Sequence, residues 1–323
     1  MTLSAQQAVE VLRAAGEPTR LRILSLLARE ELAVMELSQI LDQSQPRVSR
    51  HLKLLTEAGL VERFPDGAWM FYRIAAPGPR REIADQVLGL VNLSDLVLVR
   101  DAERLQTVRS ERMQAAGAYF AQNAARWDEL RSLYVSEADV EAAILAAAGP
   151  GPFRHLIDLG TGAGRMLQLL GPRARATVGL DLSQQMLNIA RGNTALVGLD
   201  HCELRHGDIF GTGLPDGCAD LVVIHQVLHY LSDPAAAVGE AARLVAADGR
   251  LLIVDFAPHD LEFLRQAHQH RRLGFSDVEI ARWCEAAGLG VVQPTTLPPA
   301  DPNALTVKIW TAVRPANAQR SAA

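Results

Sequence analysis

The sequence of 323 residues contains few cysteines and few aromatic residues, and it lacks long hydrophobic runs. Its three cysteines, Cys202, Cys218 and Cys284, are scattered and form no CxxC pair, which excludes a disulfide scaffold and predicts reduced thiols and no metal site. The apolar runs stop far short of the roughly 18 residues that cross a bilayer. Since the N-terminus also lacks a basic start followed by an apolar stretch, we expect a cytoplasmic protein with no membrane contact.

The composition that remains is that of an ordinary globular protein. Hydrophobic residues make up 49% of the chain and charged residues 21%, which excludes a collagen-like repeat or a long disordered chain. At roughly 100 to 200 residues per domain, the length predicts two domains.

The net charge of −5 is unevenly distributed along the chain. Residues 1–110 contain 14 basic and 14 acidic residues, so the excess of negative charge lies entirely in residues 111–323. Within the first part, the segment 43–63 carries four basic residues, Arg47, Arg50, Lys53 and Arg63, against two acidic ones. The net charge therefore excludes a nucleic-acid binder that is basic overall, whereas the local charge of segment 43–63 is compatible with a basic DNA-binding surface.

Short helical patterns fill the first 60 residues, and the last of these helices has a polar face. Ser44 is a suitable N-cap residue, and Pro46 suits the first turn of a helix that runs to Gly59. We expect Val48, Leu52 and Leu55 to face inward with Leu54 beside them. The residues left outside are Gln45, Arg47, Ser49, Arg50 and Lys53.

Two strand-like runs around Pro65-Asp66-Gly67 then predict a β-hairpin. Together with the segments EPTRLRILSLL and ELSQILDQSQPRVSRHLKLLTEAGLV, residues 8–75 resemble the winged helix-turn-helix of ArsR-type bacterial repressors. The resemblance implies a double-stranded DNA operator and a homodimer, because a two-fold operator needs two copies. A recognition helix in the major groove reaches base edges with short polar and arginine side chains near its N-terminal end. We therefore expect base contacts from Gln45, Ser49 and Arg50, and backbone contacts from Arg47, Lys53 and the wing residue Arg63.

The metal ligands of that family are missing from this sequence. Metal-sensing members carry an ELCVC pattern where this chain has Glu31-Leu32-Ala33-Val34-Met35, and residues 80–112 contain no histidine for a second type of site. Soft and borderline cations need Cys or His donors. We therefore expect a repressor-like domain that receives its signal elsewhere.

From residue 153 onward, strand-like and helix-like runs alternate, which predicts a parallel sheet with helices on both faces. The first strand ends in Asp158, followed by a GxGxG loop from Gly160 to Gly164 that opens a helix. Alone this glycine loop is a weak signal, because several nucleotide-binding folds use one.

Acidic residues at the next two strand ends sharpen the prediction. Asp181 ends the second strand, where a carboxylate accepts hydrogen bonds from ribose hydroxyls, and Asp208 follows the third, where it accepts one from an adenine amino group. With the DxGxG pattern, residues 119–313 resemble a class I S-adenosylmethionine-dependent methyltransferase. This implies a Rossmann-like, doubly wound α/β fold with a mostly parallel seven-stranded sheet.

The resemblance also implies which residues contact the cofactor, S-adenosylmethionine or S-adenosylhomocysteine. Asp158 and the loop hold the methionine part, Asp181 holds the ribose, and His225 borders the sulfonium or the acceptor. The residues assigned to the cofactor are Asp158, Gly160, Thr161, Gly162, Gly164, Asp181, Leu182, Met186, Gly207, Asp208, Ile209, His225 and Tyr134, with Trp127 beside Tyr134 in an N-terminal lid.

No catalytic residue is assigned, because alignment of donor and acceptor supplies much of the rate of methyl transfer. His225 and His229, four residues apart at a predicted helix start, are either a base or structural groups. The run from His268 to Arg272 is expected to be a solvated helix face rather than an acceptor pocket or an anion site.

Two functions remain open. The first is a transcriptional regulator whose methyltransferase-like domain binds the cofactor as an effector; the second is an active methyltransferase of a small-molecule acceptor with an autoregulatory DNA-binding domain. The predicted organisation is a winged helix-turn-helix in 1–80, a helical dimerisation connector in 81–115, a cofactor domain in 116–315 and a flexible tail in 316–323.

Overall fold

The computed structural model describes residues 3–66, 69–76, 78–92, 94–123, 137–199, 202–290, 292–298 and 305–316. The chain divides into two compact units, Met1–Gln114 and Ala115–Ala323. The first unit is mainly helical, and the second contains a seven-stranded sheet.

The first unit is a winged helix-turn-helix, as predicted. Its elements are α1 (Ala5–Ala15), α2 (Pro18–Leu27), β1 (Leu32–Ala33), α3 (Val34–Leu41), α4 (Gln45–Glu57), β2 (Val61–Asp66), β3 (Trp69–Ile74), α5 (Pro79–Gly89) and α6, which begins here and spans Leu96–Asn123. The strand β3 pairs antiparallel with β2 and with β1. The hairpin of β2 and β3 forms the wing that follows α4, the predicted recognition helix.

The start of α4 follows from local sequence signals. Ser44 occupies the N-cap position with extended backbone, although its side chain makes no capping hydrogen bond, and proline lies in the first turn. Val48, Leu52 and Leu55 are fully buried. The expected inward position of Leu54 is wrong, because its side chain is 42% exposed. The buried face of α4 is therefore narrower than the sequence pattern suggested.

An ion pair between Arg22, which is half-buried, and Asp101, which is buried, fixes α6 to the helix-turn-helix. Arg22 of α2 donates to both carboxylate oxygens of Asp101 at 2.6 Å, and it also donates to the carbonyl of Leu41 at the end of α3. Arg104, one turn further along α6, donates to the carbonyl of Ile40. Two arginines therefore tie α6 to the turn that precedes the recognition helix.

The second unit is a doubly wound α/β fold. Its elements are α7 (Glu137–Ala148), β4 (Phe153–Leu159), α8 (Arg165–Leu170), β5 (Ala174–Asp181), α9 (Gln184–Leu196), β6 (Cys202–His206), β7 (Ala219–His225), α10 (Pro234–Leu244), β8 (Val245–Phe256), α11 (Phe263–His268), α12 (Asp277–Ala286), β9 (Gln293–Leu297) and β10 (Val307–Val313). The strand order is β6-β5-β4-β7-β8-β10-β9, and β10 is antiparallel to both of its neighbours. The predicted mostly parallel seven-stranded sheet is confirmed.

Helices cover both faces of this sheet. Alternate residues of β4, β7 and β8 pack against α10 and α12 on one face and against α7, α8 and α11 on the other. The run from Leu221 to Ile224 in β7 is consequently buried at every position, as expected of a central parallel strand. The strand order reverses at β4, which lies between its parallel neighbours β5 and β7. The carboxyl ends of these three strands therefore lie beside one another, at the switch point where such sheets bind ligands.

Among the helices in the described part of the chain, none has the length and apolar composition needed to cross a membrane.

The buried pair of Arg22 and Asp101 predicts a specific stability effect. Arg22→Ala leaves the Asp101 carboxylate buried without its partner, which costs on the order of 3 kcal/mol or more. Urea unfolding followed by hydrogen exchange of the α2 and α4 amides measures this loss. Arg81→Ala is the matched control, because its i,i+4 pair with Asp85 is solvent-accessible and contributes about 1 kcal/mol or less.

A double variant separates the buried charge from packing. In Arg22→Met/Asp101→Leu neither charge remains, so we expect most of the lost stability to return. If Arg22→Ala costs no more than Arg81→Ala, the ion pair does not fix α6.

Candidate functional site

The glycine loop joins three elements at the carboxyl edge of the sheet. Gly160, Gly162 and Gly164 all have positive φ, which only glycine adopts easily. The N–H groups of Gly160 and Thr161 both donate to the carbonyl of Leu180 at the end of β5. A Cβ atom at Gly160 would lie 2.5 Å from a methyl group of Val227, which follows β7. The loop therefore packs closely against the ends of β5 and β7, and no other residue fits at Gly160.

Asp158 lies beneath this loop and is almost completely buried. One of its oxygens, Oδ2, accepts a hydrogen bond from the hydroxyl of Thr161 at 2.6 Å. The other, Oδ1, is buried and has no hydrogen-bond partner among the described residues. Burial raises the pKa of Asp158 to about 7; the Thr161 hydrogen bond opposes this rise, and the charge of Asp181 adds to it.

Asp181 connects the loop to the next helix. Its Oδ2 accepts the N–H of Gly162 and its Oδ1 accepts the N–H of Ser183, both at 2.8 Å. Burial raises the pKa of Asp181, although these N–H groups favour its charged form. Because each carboxylate oxygen has two lone pairs, both oxygens can still accept a hydroxyl group.

The other residues predicted for the cofactor lie after β5, after β6 and in α9. Asp208 accepts the N–H of Phe210 through Oδ1 at 3.0 Å, and Gly207 donates to the carbonyl of Asp181. Leu182 is 44% exposed, whereas Met186 and Ile209 are buried. Leu182 is thus open to a ligand and Asp208 is half-buried, whereas Met186 packs in the core.

The structure brings together predicted residues from four strand ends. They are Asp158 and the glycine loop after β4, Asp181 and Leu182 at β5, the segment from Gly207 to Ile209 after β6, and His225, which ends β7. Their roles toward a ligand stay predictions. Tyr134 and Trp127 lie outside the described residues.

The sequence analysis missed two residues of this edge. Ser183 caps α9 by accepting the N–H of Met186 through its hydroxyl, and Val227 covers Gly160. A serine before a helical run is a readable N-cap signal. The contact of Val227 with Gly160 has no local signal, because it joins separate strands.

Two expectations about histidines are wrong. His225 ends a strand, and His229 lies in a buried 3₁₀ turn, Leu228–Tyr230, so the two do not share a helix. The run after α11 is not a solvated helix face, because His270 and Arg272 are buried. The segment is held against the 3₁₀ turn, because the backbone N–H groups of Arg271 and Arg272 donate to the carbonyl of His229.

These residues form a histidine cluster, defined here as His229, Asp255, His259 and His270. The Nδ1 of His229 lies 2.8 Å from Oδ1 of Asp255, and the rings of His229 and His270 stack with centroids 4.1 Å apart. Burial lowers the pKa of His270, and it lowers that of His259 to about 4, with the charge of His229 acting in the same direction. The imidazoles of His259 and His270 are therefore neutral at neutral pH.

The first unit presents a separate candidate interface on α4. Gln45, Arg47, Arg50 and Lys53 are exposed, Ser49 is half-buried, and Arg63 is exposed on β2. Lys53 lies 3.8 Å from Glu57, whereas no ion pair of Arg47 or Arg50 is present among the described residues. The helix therefore presents a positively charged face to solvent, as DNA backbone contacts require.

Comparisons with known proteins agree with both units. The model of the bacterial regulatory protein arsR family matches residues 17–63. The arsenic resistance transcriptional regulator ArsR1 of Pseudomonas putida is 40% identical over 97 residues, which are 29% of this chain and 74% of that regulator. The chain belongs to the arsR family of bacterial regulatory proteins.

The second unit is a methyltransferase domain, because the family model of that name matches residues 157–253. An uncharacterized methyltransferase of Bacillus subtilis, YcgJ, is 30% identical over 107 residues, 33% of this chain; the chain spans less than half, 42%, of that relative. The fold matches the N-methyltransferase NodS of Bradyrhizobium japonicum, solved with S-adenosyl-l-homocysteine, with a TM-score of 0.52 and 16% identity over 62% of this chain and 98% of NodS.

The histidine cluster predicts a pH-dependent difference in stability. The folded unit resists protonation of His259 until about pH 4, whereas the unfolded chain takes up the proton near pH 6.5. Stability from this residue is therefore complete above pH 6.5 and falls by about 1.4 kcal/mol per pH unit as the pH drops from 6.5 to 4. Asp158 contributes in the opposite direction over this range, so a comparison of variants is required.

His259→Asn is the variant that isolates the effect. Asparagine keeps an acceptor for the N–H of Leu261, which donates to Nδ1 of His259, but it does not titrate. Urea unfolding at several pH values should show the advantage of the parent over the variant shrinking toward pH 4. An advantage that stays constant with pH contradicts the neutral state of His259.

Proposed function

We propose that the protein is a DNA-binding transcriptional repressor whose methyltransferase domain binds S-adenosylmethionine or S-adenosylhomocysteine as an effector. One observation carries this proposal: a ligand edge with Asp158, Asp181 and Asp208 accompanies an arsR-family domain that has Ala33 and Met35 where metal-sensing members have cysteines. A repressor without its own signal site needs another one, and the second unit supplies it.

DNA binding rests on the exposed face of α4. Arg47, Arg50 and Lys53 are spaced three residues apart, so their side chains project from one side of the helix. Gln45, Ser49 and Arg50 are the proposed base contacts, and Arg47, Lys53 and Arg63 the proposed phosphate contacts. Arginine near the N-terminal half of a helix in the major groove reads guanine through two hydrogen bonds.

A second copy of the chain completes the proposed DNA-binding form. Large apolar side chains are exposed on α1, after α5 and at the start of α6. They are Val9, Leu12, Leu90, Leu96, Val97 and Val99. Covering such side chains in a two-fold interface removes them from water and gives the two recognition helices that a palindromic operator needs.

The effector is assigned by the chemistry of the strand ends. Asp181 suits two ribose hydroxyls, Asp208 suits an adenine amino group, and the glycine loop allows close approach of the methionine part. A ligand shifts operator affinity only if it binds one conformation better than another. The ion pair of Asp101 with Arg22 of α2 and the hydrogen bond from Arg104 to the carbonyl of Ile40 in α3 give such a shift a route from α6 to the helix-turn-helix within the first unit.

The second candidate function is methyl transfer to a small-molecule acceptor. It is favoured by the position of His225 and the histidine cluster, which lie at the carboxyl edge of β7 and β8. Val227 links this region to the glycine loop. Methyl transfer from S-adenosylmethionine into the small-molecule fraction of a cell extract, lost in Asp181→Ala, would support this function over a purely sensory one.

The effector role predicts a ligand-dependent change in DNA affinity. A DNA fragment selected from a random pool by the parent protein serves as the probe. Its Kd should differ at least about fivefold between the complexes with S-adenosylmethionine and with S-adenosylhomocysteine, a typical coupling between two sites. Asp181→Ala should abolish ligand binding and leave the affinity of the ligand-free protein for DNA nearly unchanged. Equal affinity with both ligands and with none contradicts the effector role.

The DNA-binding face predicts distinct effects for two arginines. Arg50→Ala should weaken binding of the selected fragment by about 1–3 kcal/mol and relax its sequence preference, because a base contact is lost. Arg47→Ala should weaken all sequences equally and lower the salt dependence by about one charge. Arg191→Ala, which removes the same charge from α9, is the control. If Arg50→Ala and Arg47→Ala weaken DNA binding no more than Arg191→Ala does, α4 is not the DNA-binding helix.

A further inference from the structure

The histidine cluster lies beside the proposed cofactor edge, on the side where the sheet continues. The cofactor is assigned mainly to the ends of β4, β5 and β6, and the sheet continues from β4 to β7 and β8. His229 comes two residues after Val227, which covers Gly160 of the glycine loop, and Asp255 lies at the carboxyl end of β8. Ligands of open α/β sheets bind outside the carboxyl ends of the strands. The cluster is therefore on the side of the edge that is left for a methyl acceptor.

Three polar atoms of the cluster are buried and have no hydrogen-bond partner among the described residues. They are Oδ2 of Asp255, Nε2 of His259 and Nδ1 of His270. Asp255 is completely buried, and His270 is only 6% exposed. Each such atom destabilises the folded unit, because it has lost water and gained no partner. Polar atoms in this state indicate that the cluster receives a hydrogen-bonding ligand.

The hydrogen bonds of His229 determine which of its ring nitrogens is free. Its Nδ1 lies 2.8 Å from Oδ1 of Asp255, which also accepts the N–H of Phe256 at 2.9 Å. A carboxylate oxygen only accepts hydrogen bonds, so Nδ1 carries the hydrogen and Nε2 has the lone pair. The ring of His270 stacks on that of His229 and holds it in place. A histidine oriented by a carboxylate in this way has the arrangement of a general base.

We propose that His229, oriented by Asp255, is the base that removes the proton from a phenolic hydroxyl group while the phenolic oxygen takes up a methyl group. The proposal rests on the second candidate function, methyl transfer, and names its acceptor class and its base. S-Adenosylmethionine supplies the methyl group, and its sulfur keeps the electron pair of the carbon–sulfur bond that breaks. The phenolic oxygen forms the new bond to that carbon, and its proton passes to Nε2 of His229 and then to water.

The presence of a base selects the class of acceptor. Carboxylates carry no proton at neutral pH, thiols ionise near pH 8.5, and an unprotonated amine attacks through its lone pair, so none of these acceptors needs a base. A phenol keeps its proton up to about pH 10, and removal of this proton during the attack makes the oxygen a better nucleophile. The rings of Tyr230 and Phe256, with centroids 4.1 Å and 5.2 Å from that of His229, give the cluster aromatic surroundings that suit an aromatic acceptor.

Titratable groups face His229 from several elements. They are Asp255 at the end of β8, His259 after β8, His270 after α11 and Tyr230 in the same 3₁₀ turn, with Arg265 of α11 acting on both His259 and His270. Asp255 supplies the negative charge that stabilises a protonated imidazole next to it. Burial lowers the pKa of His259 and that of His270, so both stay uncharged at neutral pH and do not oppose a proton on His229.

Transfer of an isotopically labelled methyl group tests the acceptor class. The full chain is incubated with S-adenosylmethionine that carries a deuterated methyl group and with the small-molecule fraction of a bacterial extract. Mass spectrometry should place the label on an oxygen attached to an aromatic ring, in a product that resists alkali. A label that is found only in esters, thioethers or amines overturns the proposal and leaves methyl transfer intact.

His229→Asn tests the base. The amide N–H of asparagine can still donate to Asp255, but nothing replaces Nε2, so kcat should fall about 10²–10⁴-fold. At saturating S-adenosylmethionine, the rate of the parent should fall by up to about tenfold per pH unit toward low pH as His229 takes up a proton, and the residual rate of the variant should not show this fall. His155→Asn, which changes an exposed histidine near the start of β4, is the control and should keep the rate and the pH dependence of the parent.

Asp255→Asn tests the orientation of the base. It should lower kcat and leave KM within about twofold of the parent, because the charge that stabilises the protonated imidazole is lost while the acceptor site is kept. Transfer by His229→Asn at the rate of the control overturns the proposal and leaves methyl transfer intact, whereas a parent that forms no methylated product overturns both.

Two further measurements cover the case in which a variant does not fold. Calorimetric titration with S-adenosylmethionine shows whether each variant keeps the Kd of the parent. If His229→Asn does not bind, nitrogen NMR of the parent with labelled histidines decides, because the tautomer of a neutral imidazole determines its nitrogen shifts. The resonances that Asp255→Asn shifts should belong to a ring protonated at Nδ1. A ring protonated at Nε2 overturns the proposal.

Discussion

Two hydrogen bonds to the carboxylate of Asp181 hold the ligand edge of the methyltransferase domain together. They come from Gly162 in the glycine loop and from Ser183 at the start of α9. A single side chain at the end of β5 thus fixes both the loop that follows β4 and the helix that follows β5. The same carboxylate is the proposed partner of the ribose, so the group that shapes the site is also the group proposed to recognise the ligand. Any ligand that binds there competes for, or adds to, hydrogen bonds on which the loop depends.

The parts of this edge that could be predicted are those that follow from the alternation of strands and helices along the chain. In a parallel sheet the carboxyl end of every strand lies at the same edge, so Asp158, Asp181 and Asp208 could be placed together from their positions alone. The start of α4 was equally local, since Ser44 and Pro46 carry the signal within three residues. Both predictions needed only the order of elements along the chain.

The parts that could not be predicted depend on contacts between distant segments. Arg22 and Asp101 are 79 residues apart, and each resembles an ordinary surface residue in the sequence. The segment from His268 to Arg272 was expected to be a solvated helix face, because arginine is mostly exposed and histidine is only intermediate in burial. Its burial depends on the carbonyl of His229, which accepts the N–H groups of Arg271 and Arg272. The sequence pattern gives no signal for a hydrogen bond between segments that are so far apart along the chain.

The burial of Asp158 makes the stability of this unit depend on pH. A carboxyl that ionises near pH 3.8 in the unfolded chain and near 7 in the folded unit makes the fold less stable as the pH rises between these values. The folded unit at neutral pH is therefore less stable than one with an uncharged, satisfied group at this position. Any ligand that binds the folded unit and not the unfolded chain offsets part of that cost by mass action.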